Sequence, residues 1–372
     1  MLLRLALFLF LLALAPSLTA QKISFESTLH YGAIWRHTPK LTIRTGAPHT
    51  GQELGIRFQT LGRRAWQTWQ RYPAFGMSAC HFRFGEGAHE EAFGWLPNLT
   101  VPIWRQGDFL ASFRLGTGLG WVSKPYNTFH NPGQNAISSH WNDVTQFRLS
   151  AELRATPHWS IHAGAALTHF SNGGSKLPNY GVNFPSAFAG VSYQPKPLQS
   201  TDFQKSTFSK KQMGRRFGIL VQSGIALIEY SLPDGPKYPV WLGSAALTCY
   251  WNRVSRSAAG FDYERNTAVG AWGFHTGDYL TKSEARRLEQ RTALFAAHEF
   301  LFGNLGVQLL RGWYVGQQLD RRYLLRRSYS KLSLRYYFPP MFGSDIRFHA
   351  GVTLKAHAVI AEYISWNAGL MF

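Results

Sequence analysis

His169 and Ser171 are the two residues of this sequence whose types and spacing could do chemistry. A serine hydroxyl becomes a nucleophile at neutral pH when a base lies within hydrogen-bond reach, and histidine is the most frequent base in such sites. Residues two positions apart on a β-strand point to the same face, so a strand would place these side chains side by side. The spacing predicts a serine-dependent hydrolase, with an unreactive polar pair at a membrane interface as the open alternative.

The pair ends a segment with the alternating pattern of a β-strand. Its odd positions are apolar from Trp159 to Leu167 and then continue as His169 and Ser171. Its even positions carry smaller or polar residues: Ser160, His162, Gly164 and Thr168. This alternation is typical of a strand with one face in lipid and the other in a polar lumen. We therefore expect His169 and Ser171 on the outer, lipid-facing surface of a barrel, where polar groups are costly unless they are used.

The composition favours the same architecture. The chain of 372 residues is 45% apolar and 15% aromatic, contains 35 glycines and is only 16% charged. It is too apolar for a disordered chain and less charged than an average soluble protein. Its mean hydropathy of −0.19 does not suit a bundle of membrane-spanning helices, each of which needs roughly 20 apolar residues. We predict an all-β fold, a transmembrane antiparallel β-barrel, and keep a soluble β-sandwich as the alternative.

Other segments repeat the alternation. The even positions from Ile346 to Ala358 are apolar, and the positions between them include Lys355. A last strand alternates from Ile364 to the terminal Phe372, an ending that resembles the closing-strand signal of bacterial outer-membrane barrels. Because a spanning strand takes roughly 9–11 residues and bacterial barrels have an even strand number, we expect about 12–14 strands.

The first residues have the order of an export signal. Arg4 precedes the apolar residues 5–14 and a small-residue segment that ends at Ala20. We expect a signal peptide over residues 1–20, followed by a single barrel domain over residues 21–372. Loss of one arginine and no acid lowers the formal charge from +19 to +18. The expected location is the outer membrane of a Gram-negative bacterium.

The connections around the site strand indicate which of its ends lies outward. The turn before it, near Pro157, is short, whereas the segment from Asn172 to Gly181 after it is longer. Barrels have short periplasmic turns and longer outer loops. We therefore expect His169 and Ser171 at the level of the outer leaflet, where lipopolysaccharide lies.

Other catalytic and metal-binding patterns are absent from the sequence. His89 and His298 are each followed by glutamate, as in zinc proteases, but lack a second histidine four residues later. A phosphate-binding loop, a dinucleotide fingerprint and a G-x-S-x-G elbow are also missing. Cys80 and Cys249 lie far apart in the chain, and we expect two separate thiols or one incidental disulfide. We expect no metal and no cofactor.

The segment around the pair resembles the active-site segment of the PagL-type lipid A 3-O-deacylases, outer-membrane barrels that hydrolyse an acyl ester of lipid A. The residues that carry the resemblance are His169, Phe170, Ser171, Asn172, Pro178, Asn179, Gly181 and Asn183. The resemblance is close over this segment and extends elsewhere only as a barrel pattern. It implies that Ser171 is the nucleophile and His169 the general base.

The resemblance also implies which groups stabilise the oxyanion or orient the substrate. These are the side chain of Asn179, the backbone N–H of Gly174, and Asn172. Donors of this kind stabilise a tetrahedral intermediate by about 3 kcal/mol each.

Two features depart from the family pattern. The family carries a glutamate as the third triad member at the position of Asn183, and asparagine can orient an imidazole but does not stabilise an imidazolium by charge. Glu152 is expected to face the lumen and is a poor substitute, while the sequence does not place Asp262 or Glu299. Family members of minimal length form an eight-stranded barrel, and this chain is much longer. We assign Asn183 as the third catalytic residue.

The function expected from these features is removal of a fatty acyl chain from lipid A. Basic residues at the outer rim would attract its phosphates, although lumen-facing ones such as Arg114 and Arg335 would not contact it. Nucleic acid is not an expected partner of an exported barrel, and the oligomeric state is not indicated. The alternatives are a non-enzymatic barrel, such as a pore or structural protein, and a soluble exported β-protein that binds a polysaccharide.

Overall fold

The computed structural model describes residues 22–85, 90–211, 216–316, 327–340, 344–357 and 360–372. Within these ranges the chain forms sixteen β-strands. They make two closed antiparallel barrels of eight strands each. The predicted signal peptide over residues 1–20 lies outside the described residues.

The first barrel is closed by its first and last strands, where Phe25 lies opposite Tyr193. Its strands are β1 (Lys22–Ala33), β2 (Pro48–Gln59), β3 (Ala74–Gly85), β4 (Glu90–Gln106), β5 (Phe109–Val122), β6 (Trp141–Arg154), β7 (Trp159–Ser171) and β8 (Val182–Tyr193). The second barrel is closed in the same way, with Trp366 opposite Ile225. Its strands are β9 (Phe217–Ile228), β10 (Tyr238–Asn252), β11 (Ser255–Asn266), β12 (Gln290–Phe302), β13 (Leu305–Val315), β14 (Ser328–Tyr337), β15 (Arg347–His357) and β16 (Ile360–Met371).

Contacts divide the chain into two compact units. One unit contains the residues up to Asn172 and those from Asn179 to Thr207. The other contains Gly173–Pro178 and Phe208–Phe372. The short segment Gly173–Pro178 follows β7 in the chain but is grouped with the second unit.

The predicted all-β antiparallel barrel is confirmed, but its strand number and closure differ from the prediction. A single barrel of about 12–14 strands was expected over residues 21–372, whereas the structure has two barrels of eight strands. Alternation along a strand shows which face is apolar but does not show which strand closes the sheet. Closure depends on the pairing of β8 with β1, a long-range contact that strand periodicity does not encode.

Burial alternates along the strands as the sequence pattern predicts. On β7, Trp159 and Ile161 are about half exposed at 49% and 53%, whereas His162 and Thr168 on the other face are buried. On β16 the buried polar positions are Ser365 and Asn367. The apolar face therefore forms the outside of each barrel wall, and the polar face lines its lumen.

Charged groups inside the first barrel are paired with one another. Glu53 is 2% exposed and accepts a hydrogen bond from Arg114. Its carboxylate also lies 3.1 Å from Arg148 Nη1 and 3.2 Å from His30 Nε2. An eight-stranded barrel is just wide enough for side chains to fill it, and buried charges persist when they are paired and hydrogen-bonded. These groups therefore stabilise the filled lumen of the barrel.

An apolar cluster inside the first barrel lies at the end of β7. Phe170 and Val182 are fully buried in it and are opposite each other in the ladder between β7 and β8. The cluster also contains Phe82, Phe84 and Phe184. Because successive side chains of a strand point to opposite faces, the inward position of Phe170 turns His169 and Ser171 the other way.

Acidic residues inside the second barrel are also paired. Glu299 Oε2 lies 2.7 Å from Arg256 Nε, and its Oε1 accepts a hydrogen bond from the Tyr337 hydroxyl at 2.8 Å. Asp262 Oδ2 lies 2.6 Å from Lys331 Nζ. Each of these carboxylates is thus engaged within the second unit.

Helices occur only in connections within the described ranges. They are α1 (Ala65–Trp69), α2 (Thr267–His275), α3 (Lys282–Leu288) and a 3₁₀ turn at Ser200–Asp202. In the described residues no helix has the length and apolar content to cross a membrane. Cys80 and Cys249 are free thiols. Across the same residues, no group of three or more histidine, cysteine or acidic side chains could hold a metal ion.

Candidate active site

His169 lies near the end of β7, directly opposite Asn183 of β8 in the antiparallel ladder. Its Nδ1 is 2.7 Å from Asn183 Oδ1, a hydrogen-bond distance. Because an amide oxygen only accepts, His169 Nδ1 carries the proton of this bond. Nε2 then has the lone pair of the neutral imidazole, the form that a general base requires.

Ser171 is the last residue of β7 and is 2% exposed. Asn179, in the connection to β8, donates a hydrogen bond from Nδ2 to Ser171 Oγ at 2.9 Å. The Oδ1 of the same amide accepts the backbone N–H of Asn172 at 3.1 Å. The two bonds hold the Asn179 amide with its NH₂ group at the serine hydroxyl.

The side chain of Asn172 is directed away from this hydroxyl. Its Nδ2 donates to Ser139 Oγ at 3.1 Å and to Ser138 Oγ at 3.3 Å, in the connection between β5 and β6. Asn172 is 8% exposed. It contributes to the site through its backbone N–H, which positions Asn179, and its predicted contact with substrate stays a prediction.

Gly181 packs directly on the imidazole of His169. Its φ of +77° lies in the left-handed region, and a Cβ there would be 2.7 Å from His169 Cε1. The same Cβ would be 3.2 Å from the carbonyl oxygen of Phe170. Its N–H donates to the carbonyl oxygen of Ala136 at 2.8 Å. Only glycine fits this backbone conformation and this close approach without strain.

Gly174 is grouped with the second unit, whereas the other predicted site residues lie in the first. Its φ is +74°, and its carbonyl oxygen accepts the backbone N–H of Glu229 at 3.0 Å. The oxyanion role predicted for its own N–H stays a prediction.

The acidic residues considered as substitutes for the third triad member are engaged elsewhere. Glu152 accepts from Arg57 Nη1 at 2.8 Å and from Arg57 Nη2 at 3.1 Å. Asp262 and Glu299 belong to the second unit. The side chain at His169 Nδ1 is that of Asn183, and its role as the third catalytic residue stays a prediction.

Asp143 and Thr145 of β6 are neighbours of the site that sequence reasoning missed. In the ladder between β6 and β7, Asp143 is directly opposite Ser171 and Thr145 is directly opposite His169. Thr145 Oγ1 donates to Asp143 Oδ2 at 3.1 Å, and Thr117 Oγ1 lies 3.4 Å from Asp143 Oδ1. The sequence does show polar residues at two successive outward positions of β6. It does not show the strand register that brings them next to Ser171 and His169.

Two family models match the chain. Residues 50–192 match the family described as Lipid A 3-O-deacylase (PagL). Residues 212–372 match the family described as Acyloxyacyl hydrolase, C-terminal domain. The chain belongs to the PagL family. The first match includes the whole set of residues described above: Asp143, Thr145, His169, Ser171, Asn172, Gly174, Asn179, Gly181 and Asn183.

The chain is also similar to solved structures of other proteins. No curated protein sequence matches the chain. Outer-membrane phospholipase A from Escherichia coli is similar at 8% identity, with 93% of this chain and 95% of that chain covered and a TM-score of 0.19. OccAB3 from Acinetobacter baumannii is similar at 7% identity, with 95% and 99% covered and a TM-score of 0.24.

CdiB from Acinetobacter baumannii is similar at 10% identity and a TM-score of 0.20. The comparison covers 95% of this chain but 60% of CdiB, so the chain spans less than two thirds of that protein. At these scores, the likenesses to solved structures carry no conclusion about the site or its substrate.

Membership of the PagL family determines the class of reaction. The protein is a lipid A deacylase, a carboxylic ester hydrolase, and its location is the outer membrane.

Proposed function

We propose that this PagL-family protein hydrolyses a fatty acyl ester of lipid A with Ser171 as the nucleophile and His169 as the general base. The observation that carries the proposal is the pair of hydrogen bonds on one face of β7. Asn179 donates to Ser171 Oγ, and His169 donates from Nδ1 to Asn183 Oδ1. His169 therefore has the orienting partner that a general base requires, and an amide donor lies at Ser171 Oγ, where the oxyanion would form beside it.

The first half of the reaction transfers the acyl group to the enzyme. Ser171 Oγ attacks the ester carbonyl carbon while its proton passes to His169 Nε2. The resulting oxyanion accepts a hydrogen bond from Asn179 Nδ2 and, following the family resemblance, from the N–H of Gly174. Removal of one such donor lowers kcat by about 10²–10³-fold, or roughly 2.7–4 kcal/mol.

The second half restores the enzyme. The tetrahedral intermediate expels the sugar hydroxyl of lipid A, which takes the proton from His169, and the fatty acyl chain stays on Ser171 Oγ. A water molecule, deprotonated by His169, then attacks the acyl carbon and releases the fatty acid. The chemistry needs no group other than water and the residues of this site.

The position of the site in the first barrel supports a substrate in the outer leaflet. Ser171 ends the strand face on which Trp159 and Ile161 are exposed. At the same end of the barrel, residues 123–140 and 172–181 connect neighbouring strands, whereas the opposite end has connections as short as 107–108. Since short turns face the periplasm, we place the site at the outer, lipid-facing surface, where the acyl esters of lipid A lie.

The proposal is tested by mass spectrometry of lipid A from cells that express the wild-type protein or Ser171→Ala. We expect the wild type to remove one acyl chain and Ser171→Ala to remove none, although the variant still inserts as a heat-modifiable barrel. A matched control is Ser138→Ala, which removes a nearby hydroxyl. The hydrogen bond from Asn172 Nδ2 to Ser138 Oγ is long, at 3.3 Å, so we expect this variant to keep most of the activity. An unchanged acyl pattern with inserted wild-type protein would favour the non-enzymatic barrel instead.

A further inference from the structure

His298 of β12 lies between two serines of the neighbouring strand β11, in the second barrel. Its Nδ1 is 3.0 Å from Ser257 Oγ, and its Nε2 is 2.9 Å from Ser255 Oγ. Ser257 is directly opposite His298 in the ladder. In the sequence, His298 is notable only as the start of an incomplete zinc motif, but in the structure its two ring nitrogens contact hydroxyl groups.

One hydrogen bond beside His298 has a defined direction. Trp251 Nε1 lies 2.8 Å from Ser257 Oγ, and an indole N–H can only donate. Ser257 Oγ therefore accepts from Trp251, and it donates its own proton to His298 Nδ1 when the ring carries its proton on Nε2. Nε2–H of the ring donates to Ser255 Oγ. In this tautomer His298 Nδ1 is a base for the Ser257 hydroxyl.

The three polar residues lie on the outer face of the barrel wall. Along β11 and β12 the alternate positions, Arg256 and Glu299, are each 2% exposed and paired in the lumen. The flanking residues on the outer face, Trp251 and Phe300, are 59% and 42% exposed. Polar side chains on a lipid-facing surface are costly and mark functional positions.

At the end of the second barrel where these residues lie, two connections are only two residues long. β11 begins at Ser255 after the connection 253–254, and β12 joins β13 at the same end through residues 303–304. The opposite end has the connections 229–237 and 267–289. Because short turns face the periplasm, His298 and its serines lie at the level of the inner leaflet, which consists of glycerophospholipids.

Exposed basic residues lie at the same end. Arg253, in the connection 253–254, donates its N–H to the carbonyl oxygen of Lys210 at 3.2 Å. The backbone carbonyl oxygen of Arg216 accepts the N–H of Tyr250, near the end of β10, at 2.8 Å. All three basic side chains are exposed, and basic groups at a membrane surface attract anionic headgroups.

We propose that Ser257 and His298 form a second esterase site, with Ser255 as a positioning residue and a glycerophospholipid as the substrate. Ser257 Oγ attacks the acyl carbonyl carbon, and its proton passes to His298 Nδ1 and then to the departing glycerol oxygen. Water, deprotonated by His298, hydrolyses the acyl-serine and yields a fatty acid. The products are one free fatty acid and one lysophospholipid for each water consumed.

The test uses the purified full-length chain with Ser171→Ala, so that the first site does not contribute. Vesicles of phosphatidylglycerol are the probe, and fatty acid and lysophosphatidylglycerol are measured by mass spectrometry. We expect release by S171A and at least a hundredfold lower rate for S171A/S257A and S171A/H298Q. The matched control is S171A/S330A, because Ser330 Oγ accepts from Arg311 Nη1 at 2.9 Å on the same barrel, and its rate should equal that of S171A.

A fluorophosphonate probe with peptide mapping gives a second readout on folded, heat-modifiable protein. We expect S171A to be labelled at Ser257, S255A to reduce this labelling, and S255T, which keeps the hydroxyl, to restore it. Equal phospholipid hydrolysis by S171A and S171A/S257A, or none by S171A, overturns the second site. Ser257-dependent release from lipid A but not from phosphatidylglycerol overturns the assigned substrate. The first of these outcomes leaves the comparison of wild type with S171A on lipid A unchanged, and a comparison of S171A with S171A/S257A on lipid A separates the last outcome from the activity of the first site.

Discussion

Asn183 accepts a hydrogen bond from His169 across the ladder between β7 and β8, with 2.7 Å between Oδ1 and Nδ1. A neutral amide at this position fixes the tautomer of the imidazole but adds no negative charge when the imidazole becomes protonated. The PagL-type deacylases that this segment resembles carry a glutamate at the position of Asn183. Asn183 can therefore fill the orienting role of a third triad member but not its role as a negative charge.

Substitutions of Asn183 test these roles. We expect Asn183→Ala to lower kcat for lipid A deacylation by about 10–100-fold, because His169 loses its orienting acceptor. Asn183→Asp keeps an acceptor and adds a charge, so its kcat should equal or exceed that of the wild type. The measurement is initial rate against pH with purified protein. Full activity of Asn183→Ala would show that another residue orients His169.

Gly181 provides a test of the close packing around His169. Gly181→Ala puts a methyl group 2.7 Å from His169 Cε1 and places alanine at a φ of +77°, a conformation that costs roughly 1–2 kcal/mol outside glycine. We expect kcat to fall by at least tenfold while KM changes little, because the imidazole is displaced and the lipid contacts are kept.

The control for Gly181 is Gly133→Ala in the connection between β5 and β6. A Cβ at Gly133 would have no heavy atom within 4 Å, and its backbone is outside the left-handed region. Its kcat should match that of the wild type. Equal losses in the two variants would mean that loop glycines act through general flexibility rather than through contact with His169.

Asp143 tests whether an additional charge acts on the site. Asp143 lies directly opposite Ser171, so His169 is diagonal to it across the ladder between β6 and β7. Diagonal residues across a ladder are about 7–8 Å apart. At that distance a unit charge stabilises an imidazolium by roughly 2 kcal/mol at an effective dielectric constant of about 20. We therefore expect Asp143→Asn, which keeps the shape of the side chain, to lower kcat by about tenfold or more.

The readout that distinguishes charge from structure is the pH profile of kcat. Loss of a nearby negative charge favours the neutral imidazole, so the acidic limb of the Asp143→Asn profile should move to lower pH. Asn142→Ala, on the lumen-side face of the same strand, serves as a structural control. An unshifted profile with reduced kcat would assign Asp143 a purely structural role.

The faces of the strands were predictable from the sequence, whereas their partners were not. Alternation along residues 159–171 gives the side of β7 on which His169 and Ser171 lie, since side-chain direction is a local property with a period of two. The position of Asp143 opposite Ser171 depends on the register between β6 and β7. Register is set by turn geometry and packing together, and a single sequence does not display it.

The same distinction explains the barrels. Each strand of the second barrel shows its own pattern, but closure of β16 on β9 joins segments that are far apart in the chain. Asn183 was identified through the resemblance to a family rather than through its physical chemistry. Its pairing with His169 follows from the strand register between β7 and β8, which the local pattern alone leaves open.

Glu53 connects the stability of the first barrel to its paired lumen charges. It is the acceptor for Arg114, lies 3.1 Å from Arg148 and 3.2 Å from His30, and is 2% exposed. Removal of one member of a buried charge network leaves the others unpaired in a medium of low polarity, which costs about 3–5 kcal/mol. We therefore expect Glu53→Ala to lower the urea midpoint of the folded barrel in detergent, as followed by heat-modified mobility.

Glu91→Ala is the control, because Glu91 is 47% exposed and lies 3.5 Å from His81, and exposed pairs contribute about 1 kcal/mol or less. Similar midpoints for the two variants would show that the lumen charges are not the main source of stability in this barrel.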